Sequence, residues 1–164
     1  MFTKSVEVLI SRPLDEVFAF VGDVRNRPRW DDSVDSEELT SSEPIGVGST
    51  VRTRLTSMGR EYQYTWEIVE HQPPNRMKVQ STSGPFPTTL AFEFDSQGDE
   101  TRVRASVTGR PTGVMRVLQP MIAHTTQKNL ERGYARLKVL LETGSVSEEP
   151  PRPTGSTPSS TTLE

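Results

Sequence analysis

Large apolar side chains alternate with polar ones through Tyr62, Gln63, Tyr64, Thr65, Trp66, Glu67 and Ile68, the two-residue period of a strand with one buried face. That face is almost wholly aromatic. The same period recurs over Ser5–Ile10, Val51–Thr56, Met77–Gln80, Leu90–Phe94 and Val103–Val107, and turn residues separate the segments at Pro44-Ile45-Gly46, Met58-Gly59, Gln72-Pro73-Pro74-Asn75, Gly84-Pro85 and Gln97-Gly98-Asp99. One-sided strands joined by tight turns predict an antiparallel sheet with one wet face and one dry face.

The period changes to helical in two places. Pro13 starts a helix, because its fixed φ suits a first turn, and Asp15 and Glu16 complement the positive end of the helix dipole while Val17, Phe18, Phe20 and Val21 supply the buried side. A second short helical turn at Pro28 delivers Trp30. From Val114 to Glu142, Leu118, Ile122, Thr126, Leu130, Leu137 and Leu141 recur at three- and four-residue steps, with Arg132, Arg136 and Lys138 outside them. Pro120 is expected to kink or divide this helix. No other segment is amphipathic and long enough to cover the dry face of the sheet.

At 164 residues the chain suits one domain with a sizeable core, and it contains no Cys, so neither a disulfide framework nor a thiolate metal site is possible. The net charge of -3 argues against non-specific nucleic-acid binding. Lys4 and Glu7 interrupt the first residues, which excludes a continuous secretory h-region there, and Val17–Val21 is far too short to span a bilayer. A cytoplasmic protein without an integral membrane segment is expected. From Gly144 the composition turns to Gly, Ser, Thr, Pro and Glu, which predicts a domain over 1–143 and a disordered Pro/Ser/Thr-rich tail over 144–164.

Chemistry-bearing residues form no recognisable catalytic set. His124 falls off the buried stripe of the long helix, His71 stands at a strand end, and two distant His without a thiol give no metal spacing. Asp31, Asp32, Asp35, Glu37 and Glu38 crowd together without the glycine-centred loop of a calcium site, and read as a solvated edge. Arg52 and Arg54 alternate outward. No phosphate loop, dinucleotide fingerprint or nucleophile elbow occurs.

The order of one strand, two short helices, a run of antiparallel strands and a closing helix resembles the helix-grip fold of the START-like superfamily. The local match lies in Ser11-Arg12-Pro13-Leu14-Asp15-Glu16-Val17-Phe18, in Asp23 and in Pro28-Arg29-Trp30-Asp31, and looks like the opening of the polyketide cyclase/dehydrase and lipid-transport family. The likeness in element order covers residues about 3 to 143. It implies an α+β fold in which a curved antiparallel sheet wraps around a long C-terminal helix and leaves a cavity between them. The family's members include hydrophobic-ligand carriers, quinone-binding helpers, aromatase/cyclases and proteins acting on other macromolecules, and the fold does not choose among them.

On this basis Trp30, Tyr62, Tyr64, Trp66, Phe92, Met121 and Tyr134 are the candidate ligand-binding residues. Each also serves as plain core, and Trp30 equally as an anchor between the short helices and the sheet. Thr53, Ser81 and the Tyr hydroxyls would orient a ligand, Phe86 would stand at the entrance, and Met115 with Met121 would form an adaptable wall. The expected function is binding of a small hydrophobic or aromatic molecule (lipid, quinone or polyketide-like) as a carrier, with no cofactor and no metal. The alternatives are a cyclase/dehydratase-type enzyme using the same cavity and a protein-interaction module without a ligand.

Overall fold

A computed structural model describes residues 1–144; the predicted tail from 145 onward lies outside the described residues. The chain runs β1 (Phe2–Ile10), α1 (Leu14–Gly22), a 3-10 turn (Val24–Asn26), α2 (Arg27–Trp30), β2 (Val34–Leu39), β3 (Thr50–Ser57), β4 (Arg60–Gln72), β5 (Arg76–Ser83), β6 (Thr88–Gln97), β7 (Glu100–Gly109), α3 (Val114–Val117) and α4 (Gln119–Glu142). The seven strands form one antiparallel sheet in the order β1-β7-β6-β5-β4-β3-β2. It curls as a half-barrel around α4, which is the helix-grip architecture.

Strand β2 is the element that hydropathy did not predict. Its sequence, Val-Asp-Ser-Glu-Glu-Leu, carries apolar side chains only at its ends, and its pairing with β3 shifts register between Val34 and Ser36. A bulge of this kind inserts one unpaired residue and reverses which side chains face inward. Val34 faces in before the bulge; Glu37 and Leu39 are the more enclosed positions after it.

Helix α1 begins after Pro13 with Asp15 and Glu16 in its first turn, as expected. Pro120 sits in the first turn of α4, where its missing N–H costs nothing, so the predicted long helix is divided at Leu118 into α3 and α4 rather than kinked. The C-terminal half of α4 is fastened to β1: Arg12 Nε donates to the Leu141 carbonyl at 2.8 Å, and Lys138 Nζ donates to the Leu9 carbonyl. Beneath this half the core is solid. Ile10, Val17, Phe94, Val103 and Leu137 are fully buried, and Phe18 sets its edge on Phe94 at 5.1 Å between centroids. Gln127, nearer the middle of the helix, also ties to β1 through the Ser5 carbonyl at 3.2 Å.

Candidate functional site

At the other end of the helix the filling stops. A cavity of about 150 Å³ lies between the sheet and the N-terminal half of α4. The strands contribute Leu55, Tyr62, Tyr64, Trp66, Leu90 and Val107, whereas α4 offers Ile122, Thr126, Asn129 and Leu130. Thr126 and Asn129 are short where a Leu or Phe would close the gap. The lining runs out to Met58 at the β3–β4 turn, which is 43% exposed, to Pro85 and Phe86 between β5 and β6, and to Met115 on α3.

The aromatic wall is rigidly held. Tyr64 and Trp66 project from the same face of β4 and stack with centroids 4.6 Å apart and planes 19° from parallel. The Tyr64 hydroxyl pairs with Thr88 Oγ1 at 3.2 Å, and Trp66 Nε1 donates to Thr53 Oγ1 at 3.0 Å, so both polar tips are satisfied within the protein. Burial pushes the pKa of Tyr64 above that of an ordinary phenol, against the pull of the Thr88 bond. Gly84, at φ +156°, lies so close to the Tyr64 ring that a Cβ there would run into it.

The inner end is polar. Arg27 lines the cavity and gives its Nε to Asp31 Oδ2 at 2.9 Å; Asp31 Oδ1 accepts from Ser33 N at 3.1 Å and from Ser33 Oγ at 2.6 Å. Among the described residues no acceptor bonds the terminal N–H groups of Arg27. Burial works against its charge, but Asp31 and Glu37 outweigh that and hold its pKa above the usual value. Beside it a recess of about 20 Å³ is lined by Arg27, Trp30, Glu37, Val51, Trp66 and Phe92, among others. Glu37 is half-buried as a residue, yet its Oε2 has no solvent contact and no hydrogen-bond partner. Burial pushes its carboxyl up to about 7, against the pull of Arg27 and of a hydrogen bond with Thr53 and with the repulsion of Asp31.

The structure brings together Tyr62, Tyr64 and Trp66 on the cavity wall, and places Trp30 and Phe92 with Trp66 around the recess. Trp30 is an anchor: it is 2% exposed and meets Tyr134 edge-on at 4.9 Å. Two expected residues lie elsewhere. Tyr134 is buried but lines neither space, because Gly133 beside it admits the Trp30 ring against α4. Met121 is 51% exposed, since the neighbouring Ile122 takes the inward face of α4, and Met115 alone of the expected pair lines the cavity. Ser81 is occupied by the Thr88 N–H at 2.8 Å, whereas Thr53 is buried on the wall. Phe86 lines the cavity and packs between Phe2 and Tyr64. His124 is exposed and His71 packs on Phe18, so neither stands in the cavity.

The acidic edge needs correction. Asp31 is 6% exposed and Glu37 turns inward, so only part of that cluster is solvated. Sequence reasoning missed Arg27, Asp31 and Glu37 as site residues. The Arg27-to-Asp31 spacing of one helical turn was a legible signal; the inward turn of Glu37 was not, because it depends on the bulge. Among the described residues no group of His, Asp and Glu is arranged to hold a metal, and no helix is long and apolar enough to cross a membrane.

A family model described as polyketide cyclase / dehydrase and lipid transport matches residues 1–142. No curated protein sequence matches the chain. Among solved structures, TTHA0849 from Thermus thermophilus superposes with a TM-score of 0.77 at 22% identity, covering 90% of this chain and 100% of that one. A START superfamily protein from Mycobacterium smegmatis gives 0.75 at 15% identity, with 86% and 97% covered. The Zhui aromatase/cyclase from Streptomyces sp. R1128 gives 0.72 at 14% identity, with 88% and 96% covered. At such identities these structures share the fold with this chain.

Proposed function

The chain belongs to the polyketide cyclase/dehydrase and lipid transport family, and from that premise we propose that it binds a small hydrophobic or aromatic molecule between the sheet and α4, as a carrier or sequestering protein. The observation that carries this reading is the space left unfilled beside the stacked Tyr64 and Trp66, with an apolar wall on most sides and polar groups confined to one end. An apolar cavity of about 150 Å³ takes a benzene-sized guest. One ring buries about 150 Å², which at ~25 cal/mol per Å² gives ~4 kcal/mol, a dissociation constant on the order of 1 mM. A larger ligand encloses one ring or a short acyl segment here and extends toward Met58, and that remainder supplies further affinity.

Titration with toluene, followed by the indole N–H resonance of Trp66, tests the reading. A saturable shift is expected, and Thr126→Phe, which fills the cavity from α4, abolishes it while the melting temperature is kept. The absence of a shift, or the same shift in Thr126→Phe, overturns the proposal.

A further inference from the structure

The recess at the inner end of the cavity has an arrangement that packing alone does not require. Arg27 has terminal N–H groups without an acceptor among the described residues, Glu37 has a sealed Oε2 without a partner, and the two residues line a space of about 20 Å³ that shares Arg27, Trp66 and Leu90 with the main cavity. That volume accommodates about one oxygen-sized group. The groups acting on Glu37 are Arg27 from α2, Asp31 just after it and Thr53 from β3, while Tyr134 from α4 faces Arg27 and Asp31. Thr53 is committed, since it accepts from Trp66 at 3.0 Å. Asp31 is committed to Arg27 Nε and Ser33. What remains open is one acceptor on Glu37 and the outer donors of Arg27.

We propose that this recess is the specificity subsite for a ligand hydroxyl, and that the ligand is a hydroxylated ring, a phenol or enol, whose oxygen accepts from Arg27 and donates to Glu37 Oε2 while its apolar body fills the main cavity. A hydroxyl meets both needs with a single atom; a methyl group meets neither. Burying an unmatched polar pair against an apolar ligand leaves both desolvated, which sets the discrimination. This inference rests on the ligand-binding reading above.

Phenol and toluene, nearly equal in shape, are the probes. Because phenol is better hydrated, the quantity to read is the phenol-to-toluene affinity ratio in the wild type against that in Glu37→Leu, each measured by NMR titration. The ratio is expected to fall about tenfold in Glu37→Leu, with toluene affinity changed less than about threefold. Glu37→Met, which keeps the length of the side chain, gives the same result if Glu37→Leu folds poorly. An unchanged ratio, with toluene still bound, assigns the recess to a trapped water and overturns this proposal alone. Failure of the wild type to bind either probe overturns it together with the ligand-binding reading.

Discussion

Replacing Glu37 by Gln tests the electrostatics of the site without any ligand. In the folded chain the carboxyl is pushed up to about 7 from an ordinary 4.5. At about 1.4 kcal/mol per pH unit, that rise corresponds to ~3 kcal/mol. The folded state holds this proton more tightly than the unfolded chain, so the stability associated with Glu37 is full below 4.5, falls as pH rises from 4.5 toward 7, and is lost above that. Glu37→Gln cannot titrate. Relative to the wild type it therefore gains ~3 kcal/mol between pH 4.5 and about 8, whatever constant offset the amide introduces at Thr53 and Arg27. Urea unfolding of the two proteins at several pH values, followed by Trp fluorescence, measures it. A difference that stays constant to within about 0.5 kcal/mol, the scatter of ordinary surface changes, would mean that Glu37 is solvated and that the recess does not bury its charge.

Further outcomes follow from the same packing. Asp31→Ala removes the ion-pair partner of the half-buried Arg27 and leaves Glu37 as the carboxyl beside it, for an expected loss of about 1.5–3 kcal/mol in urea unfolding. Leu137→Ala, at a fully buried position under the fastened half of α4, costs about 2–5 kcal/mol and lowers the melting temperature without altering toluene binding. Gly84→Ala drives a methyl group into the Tyr64 ring and strains a backbone held at φ +156°; a loss of about 1–3 kcal/mol is expected, with weakened toluene binding as the Tyr64–Trp66 stack shifts.

The fold was legible because most of its strands keep a strict alternation. Val51, Thr53 and Leu55, then Tyr64, Trp66 and Ile68, then Leu90, Phe92 and Phe94 all face the interior as the period requires. Where the alternation fails, the reading failed. In β2 only the bulge between Val34 and Ser36 decides that Glu37 rather than Ser36 or Glu38 turns inward, and no hydrophobic partner in the sequence marks it. Met121 is expected on the wall apart from the helical stripe, and it is the stripe residue Ile122 beside it that turns to the cavity. Tyr134, four residues after Leu130, is turned to the interior, yet Trp30 occupies the space in front of it.

The polar end of the cavity is hard to account for as a stabilising device. Two carboxyls and one guanidinium are enclosed there, and a buried ion pair of this kind is commonly no better for stability than apolar side chains of the same volume. The set is also unbalanced. With Glu37 ionised the three groups sum to one negative charge, and with Glu37 protonated they sum to zero, which is the state that burial favours below about pH 7. In that state the acid presents a group that can donate or accept, beside Arg27 donors that need an acceptor. An oxygen arriving on a ring that fills the adjoining cavity satisfies both groups at once, and it does so only for ligands that carry that oxygen.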